Sequence, residues 1–402
     1  MSTGGFSKAR LGRLQHAMAG YVERGEVPGI IALVSRRGEV HVDAVGSLAV
    51  GGRPIQRDTI FRIASLSKPV AAVAAMILVE ECGLRLDEPV DRLLPELAGR
   101  RVLKRLDGSL DDTVPAKRPV TPRDLLTLRF GLGYSPEVAR GWPIEQAFQR
   151  QNILQGPPRP RAQPTPDEWI RRVATLPLMY QPGERWLYDL GMDVLGVLIA
   201  RAAGQPLETF LRERLFEPLG MKDTGFSVPA EKIDRFATSY EVHPETGALT
   251  LYDEAEGGEW SRPPAFPSAS GGLVSTVDDY LAFARMLLDK GKHGNARILS
   301  RPAVETLASD QLTPVQKAVS GLIPGYFDSH GYGFGVAVVT RRIDVPGSVG
   351  AYGWDGGLGT SWRNDPAEEM IGILMTQRAW TSPNPPDVCV DFWTSTYQAI
   401  ED

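Results

Sequence analysis

The chain has 402 residues, of which 42% are hydrophobic, 8% aromatic and 23% charged. This is the usage of a folded globular protein rather than a disordered or fibrous one, with length for two or three structural units. Its formal net charge is −5 and no long run of like charge is present, which excludes the phosphate-neutralising surface that nucleic acid requires. The longest apolar run, Val70 to Val79, has ten residues, against the roughly 20 needed to cross a bilayer.

Residues 7 to 24 place Leu11, Leu14, Met18 and Val22 at helical spacing and stop at Gly25, which predicts an amphipathic first helix. The stretch Met1 to Gly20 lacks the apolar segment of a secretory signal, so a cytoplasmic location is expected. Two β-rich runs, Ile30 to Ser35 and Val40 to Val45, flank Arg36-Arg37-Gly38-Glu39 and read as a hairpin. Thr59 to Ile63 reads as a short extended lead-in. From Ser65 an Ala-rich helix follows, with Pro69 in its first turn and an apolar surface all round, as expected of a buried spine.

The middle of the chain changes character. Residues 100 to 118 are charge-rich and residues 157 to 166 hold five prolines, so both read as surface excursions, the second as a rim or lid. Thr121-Pro122 and Thr165-Pro166 are helix starts with Asp124 and Glu168 at the third helical position. Further helices are predicted over Gly191 to Ala203, Pro206 to Leu215 and Val277 to Leu288. Strands return at Gly333 to Thr340, Leu358 to Trp362 and Met370 to Thr376, before an amphipathic stretch from Val388 to Ile400. Strands at both ends with helices between them argue for an α+β body assembled from both termini around an inserted helical domain. The expected division is 1–85 with 255–402 as the sheet domain and 86–254 as the helical one. Cys82 and Cys389 lie far apart without CxxC spacing, and both are expected as buried reduced thiols.

Ser65-Leu66-Ser67-Lys68 carries the first chemistry. Residues three apart on a helix share a face, so the Lys68 ammonium can reach the Ser65 hydroxyl at a helix N-terminus, where free N–H groups favour a developing oxyanion. With 22 serines and 9 lysines in the chain, about 0.5 such tetrapeptides arise by chance, so the motif is weak alone. G-x-S-x-G, the mark of Ser-His-Asp hydrolases of the α/β type, is absent. His16, His41, His243, His293 and His330 are scattered without HExxH or HxH spacing, so no metal site is expected.

Five ordered blocks give the serine its context: FRIASLSKPV from Phe61, TPRDLLTLRFGLGY from Thr121, QPGERWLYDLGMDVLG from Gln181, PSASGGLVSTVDDYLAFARMLL from Pro267 and GWDGGLGTSW from Gly353. Together they resemble the family VIII carboxylesterases, esterases of the class C β-lactamase and penicillin-binding fold. The resemblance implies an α+β, serine β-lactamase-like architecture and a serine carboxylesterase that needs no cofactor. It implies a nucleophile at Ser65, general base and acid at Lys68 and Tyr188, and hydrolysis of carboxylic esters through an acyl-enzyme, with short acyl chains expected. The oxyanion donors become the amides of Ser65 and Gly357, the second following Trp354-Asp355-Gly356, a W-x-G form. Trp354, Gly356, Trp186, Tyr134, Tyr352 and Trp362 are candidates for the substrate pocket.

Two departures bear on substrate. Where β-lactamases read Y-x-N, this chain has Tyr188-Asp189-Leu190, and a tryptophan replaces the lysine of KTG. Both weaken recognition of an anionic β-lactam. Asp189 reads as a helix N-cap or surface carboxylate. A β-lactamase or acyltransferase of the same fold, and a non-catalytic penicillin-binding-like receptor, are the rival readings. The expected partners are a small-molecule ester, no nucleic acid and no membrane, with the protein a monomer or weak homo-oligomer.

Overall fold

The structure is a computed structural model describing residues 4–153 and 156–402. Residues 1–3 of the stretch read for a signal segment lie outside the described residues. Seven strands form the main sheet: β1 (Gly29–Arg36), β2 (Glu39–Gly46), β3 (His330–Tyr332), β4 (Ala337–Val339), β5 (Tyr352–Gly356), β6 (Thr360–Asp365) and β7 (Met370–Thr376). Five helices of twelve or more residues accompany them among the described residues: α1 (Lys8–Glu23), α2 (Ser67–Glu80), α3 (Leu190–Ala203), α4 (Val277–Leu288) and α5 (Asp387–Gln398).

The N-terminal hairpin forms because Arg37 and Gly38 both take positive φ, 49° and 85°, which gives a two-residue turn the twist of its strands. Its register runs from Gly29↔Gly46 to Arg36↔Glu39. The sheet order is β3-β4-β5-β6-β7-β1-β2, and β1 pairs antiparallel with β7 from Ile30↔Thr376 to Arg36↔Met370. The start and end of the chain thus close one sheet. Side-chain alternation then sorts two cores. Ile30, Ala32, Val34 and Leu374 pack with Leu14, Met18, Phe392 and Trp393 of α1 and α5. Ile31, Leu33, Ile371 and Ile373 join the larger core that includes α2, α3 and α4.

Within α2 every residue from Ser67 to Leu78 is buried, and each fully buried Val, Ile or Leu contributes about 1.5–3 kcal/mol. The helix proper begins at Ser67; Ala64–Leu66 is a 3₁₀ turn ahead of it. Several expectations are corrected here. Cys389 is buried but Cys82 is exposed, because it follows the end of α2 in a left-handed conformation with φ 60°. Thr121 forms a capping box with Asp124, whereas Thr165 makes no side-chain cap and Glu168 pairs with Arg171 and Arg172. The run from Gly333 to Thr340 folds as the end of a β3–β4 hairpin rather than one strand. Residues 100 to 118 contain a small ladder of Arg101–Leu103 with Thr113–Pro115.

Just before the turn that carries Ser65, Arg62 is buried and donates from Nε to Asp253 Oδ2 at 2.8 Å and from Nη2 to the Glu254 carbonyl at 2.9 Å. Its guanidinium lies 3.9 Å from the Phe236 ring centroid and 5.2 Å from that of Trp260. Burial pulls it down to about 10, with Asp253 opposing, so it stays charged at neutral pH. Removing one member of such a pair strands the other charge. Asp253→Ala is expected to lose about 3–5 kcal/mol of stability, read from urea unfolding; a loss below 1 kcal/mol would show that the pair does not brace this region.

Candidate active site

Ser65 and Lys68 meet as their spacing predicts, with Lys68 Nζ donating to Ser65 Oγ at 3.0 Å. Tyr188 arrives from the segment preceding α3, its hydroxyl 2.7 Å from Ser65 Oγ. The Thr121 block holds that tyrosine: Tyr134 and Tyr188 exchange backbone hydrogen bonds at 2.9 and 3.1 Å, and the Leu187 N–H donates to the Leu128 carbonyl. Gly133 permits the approach, since a β-carbon there would lie 2.7 Å from the Tyr188 carbonyl oxygen.

Lys68 is fully buried and engages three oxygens. Besides Ser65 it donates to Asp189 Oδ1 at 2.6 Å and to the Ser270 carbonyl at 2.7 Å. Burial is the largest single influence and lowers its proton affinity, yet Asp189 and Tyr188 together overcome this and hold Lys68 above its ordinary value. It is therefore an ammonium at neutral pH.

Asp189 occupies the N-cap position of α3 without capping it, which corrects its reading as a cap or surface carboxylate. Its φ of 79° and ψ of −71°, with the Leu190 N–H donating to the Tyr188 carbonyl at 3.2 Å, define a γ-turn of the rarer, strained hand. Such a conformation costs roughly 1–3 kcal/mol, and the carboxylate it sends to Lys68 is what this geometry achieves. Leu190, in the place of the asparagine of Y-x-N, is buried in the core.

One helical turn on, Asp193 is the only charged residue from Leu190 to Ala200. It accepts from Ser268 Oγ at 2.8 Å, the Ser270 N–H at 3.0 Å and Ser270 Oγ at 2.9 Å. Asp193 thus anchors the residue whose carbonyl receives Lys68. Burial first, and then the neighbouring Asp189, push Asp193 up to about 6, while its serine hydrogen bonds act against the rise. Sequence reading missed Asp193 and Ser270; the lone acid in an otherwise apolar helix was the available signal.

Ser67 is turned away from the chemistry: its Oγ donates to the Ala64 carbonyl at 2.7 Å and accepts the Leu273 N–H at 3.1 Å. The W-x-G block comes in on the other side. At Gly356 a β-carbon would meet Thr360 Oγ1 at 2.2 Å and the Ile63 carbonyl oxygen at 2.4 Å, so glycine lets the end of β5 press against the residue two before Ser65. Among the described residues neither the Ser65 N–H nor the Gly357 N–H has a protein acceptor, and both residues line one cavity of about 710 Å³.

That cavity also takes in Tyr134, Tyr188, Tyr352 and Trp354, with Pro157, Pro158 and Pro160 on a further wall. Trp354 Nε1 donates to the Tyr188 hydroxyl at 3.2 Å. The Tyr352 hydroxyl accepts from Asn364 Nδ2. Trp186, Gly356 and Trp362 lie outside the lining. Trp186 stacks behind Tyr188 at 5.6 Å between ring centroids, and Trp362 is a core residue whose Nε1 donates to Asn364 Oδ1. Among the described residues no group of three His, Cys, Asp or Glu is placed to hold a metal, and no single helix is long and apolar enough to cross a membrane.

Comparison with known proteins places the whole arrangement in context. The beta-lactamase family matches residues 14–387. An uncharacterized protein of Mycobacterium tuberculosis is 39% identical over 376 residues, 92% of this chain and 89% of that protein. Esterase EstB of Burkholderia gladioli is 33% identical over 378 residues, 89% of this chain and 88% of the esterase. Among solved structures, EstCE1, a hydrolase with promiscuous acyltransferase activity, aligns with a TM-score of 0.79 at 25% identity, covering 98% of this chain and 99% of that one.

The Asp193 environment makes a stability prediction. Its folded proton affinity exceeds the unfolded value, so it favours the folded state at low pH and that contribution is lost as pH rises from about 4 to about 6. Asp193→Asn is expected to remove a fall on the order of 2 kcal/mol across that window, read from denaturation midpoints at pH 4 and pH 7. An unchanged slope would assign the carboxyl an ordinary proton affinity.

Proposed function

The chain belongs to the beta-lactamase family, as a serine carboxylesterase of the family VIII type, and on this premise we propose that Ser65 is its nucleophile, with Tyr188 and Lys68 handling the proton. The observation that carries this reading is the sharing of Ser65 Oγ by Lys68 Nζ at 3.0 Å and the Tyr188 hydroxyl at 2.7 Å on the wall of a large cavity. An ammonium has no lone pair, so Lys68 orients the serine and Tyr188, in its anionic form, receives the proton. Lys68 Nζ lies 4.5 Å from the Tyr188 ring centroid, and Trp354 Nε1 donates to the Tyr188 oxygen.

Ser65 Oγ attacks the ester carbonyl as its proton passes to Tyr188, and the Ser65 and Gly357 amides receive the oxyanion. Collapse expels the alcohol, which takes the proton from Tyr188 and leaves an acyl-serine. Water then repeats the sequence and releases the acid. An alcohol in place of water gives acyl transfer, a second reading favoured by a mostly apolar cavity with room for more than a short acyl chain. The free thiols of Cys82 and Cys389 suit a reducing, cytoplasmic setting. We also read the chain as a sheet unit of residues 1–85 and 255–402 with a helical unit of 86–254, a division supported by a main sheet drawn from the two ends of the chain. A monomer or weak homo-oligomer working on a small ester completes the reading.

The test is covalent trapping with kinetics. A fluorophosphonate should label Ser65, as read by peptide mass spectrometry, and Ser65→Ala should abolish both labelling and p-nitrophenyl ester turnover. Tyr188→Phe should lower kcat by about 10²–10⁴. Ser67→Ala should keep most of kcat while losing about 1–2 kcal/mol of stability through the orphaned Leu273 N–H. Label at Ser67, or none with turnover intact, would overturn the assignment; a receptor would give neither burst nor adduct. Cephalosporin hydrolysis, measured beside ester hydrolysis, should be the weaker activity.

A further inference from the structure

The cavity holds a positive charge that the chemistry above does not use. Two arginines line it, Arg159 and Arg363. Arg159 is engaged, donating to the Tyr252 carbonyl at 3.3 Å and lying 4.1 Å from the Tyr252 ring centroid. Arg363 has no hydrogen bond and no ion pair with any described residue; only the Trp393 ring meets it, its centroid 4.7 Å from Cζ. The residue is half-buried, yet none of its three side-chain nitrogens is sealed from solvent.

The sheet sets the direction of this side chain. Arg363 stands in β6 opposite Gly353 of β5 and Gly372 of β7. Its backbone is therefore flanked by strands on both sides, and the side chain is the part that meets the cavity. Residues opposite one another share a face of the sheet, so two glycines leave the guanidinium uncovered. On the Gly372 side Trp393 fills the gap, since a β-carbon there would lie 2.6 Å from the ring. On the other side Gly353 itself lines the cavity.

Two neutral polar groups accompany the charge. Tyr326 and His330 line the cavity, their rings stacked at 6.2 Å between centroids. His330 Nδ1 is taken by Ser329 Oγ at 2.9 Å, while Nε2 and the Tyr326 hydroxyl have no protein partner and are open to solvent. Burial first, and then the Arg363 charge, pull His330 down to about 4, so its ring is neutral at pH 7. Asp355, two residues along β5 from Gly353, accepts from Ser361 Oγ. Neither Asp355 nor Asp344, exposed on the rim, pairs with Arg363 among the described residues.

We propose that Arg363 is a specificity-determining residue, and that the preferred ester carries a carboxylate remote from its scissile bond, received by the open guanidinium with His330 and Tyr326 as neutral donors beside it. The inference rests on the esterase reading and adds a substrate class to it. The planar fork of an arginine takes both oxygens of a carboxylate, and one positive charge suits a monoanion; a doubly charged phosphate would leave a charge unmet near Asp355. Four residues at about 3.3 Å each separate Gly353 from Gly357, roughly 13 Å. The carboxylate therefore belongs several carbons away from the carbonyl that the Gly357 amide receives. The carboxylate of a β-lactam, close to the bond that is cut, falls short of this end.

The experiment uses esters of matched length ending in a carboxylate, a methyl group or an amine, over several spacer lengths. One series varies the acyl side as p-nitrophenyl esters; the other varies the alcohol side as acetates. In the wild type, kcat/KM should favour the carboxylate over the methyl member about 10–100-fold in one series, at an intermediate spacer, with the amine poorest. In Arg363→Met, which keeps an apolar stem against Trp393, that ratio should fall to about one; Arg363→Lys, a charge without the fork, should give an intermediate ratio. No preference at any spacer, a preference for the amine, or a carboxylate preference that survives Arg363→Met overturns the proposal. So does an Arg363→Met protein that melts earlier and loses the same factor on all members, which would make Arg363 structural. If no ester at all is turned over, the esterase reading fails, and binding judges the subsite alone: octanedioate should raise the melting temperature of the wild type and not of Arg363→Met, and an equal effect on both, or none, overturns it.

Discussion

A buried positive charge organises this protein. Lys68 has no access to water, and an uncompensated ion in such a place costs several kcal/mol. Its three hydrogens must find oxygen, and the three they find come from distant parts of the chain: Ser65 from its own turn, Asp189 from the entrance to α3 and the Ser270 carbonyl from the segment before α4. Satisfying the ammonium brings Ser65, the tyrosine segment and the serine-rich loop to one point.

The rest of the architecture serves that convergence. The closing of β1 against β7 gives a rigid sheet whose β5 end stands beside Ile63, where glycine at 356 allows contact. The Thr121 block supplies the backbone bridge that holds Tyr188. Asp193 ties Ser270 to α3 through its N–H and hydroxyl, which anchors the residue whose carbonyl receives Lys68. The strained turn at Asp189 carries the carboxylate that meets Lys68. This is the usual trade at a site that must be preorganised.

Much of this was legible in the residues. The Ser-x-x-Lys spacing, the buried helix behind it, the extents of α1, α4 and β7, and the hairpin at Arg37-Gly38 all follow from local rules of periodicity and turn chemistry. Five ordered blocks pointed to the family where one tetrapeptide could not. What stayed hidden depends on contacts distant in sequence. The direction of the Asp189 side chain is set by a backbone conformation that non-glycine residues rarely adopt, so the residue read as a cap. Exposure of Cys82 follows from where α2 happens to stop. Trp186, aromatic and two residues before Tyr188, looked like pocket lining and instead stacks behind that tyrosine.

If Lys68 is held as an ammonium by Asp189, it orients Ser65 and cannot take its proton, and every protonation step assigned to Tyr188 follows. Carbon-13 labelling of the lysine side chains, with the Lys68 signal assigned by its loss in Lys68→Met, allows its charge to be followed by NMR as pH is varied. The account predicts a Lys68 Cε shift that stays at the ammonium position from pH 5 to pH 9.5. A titration midpoint near neutrality would contradict it and make the lysine the base.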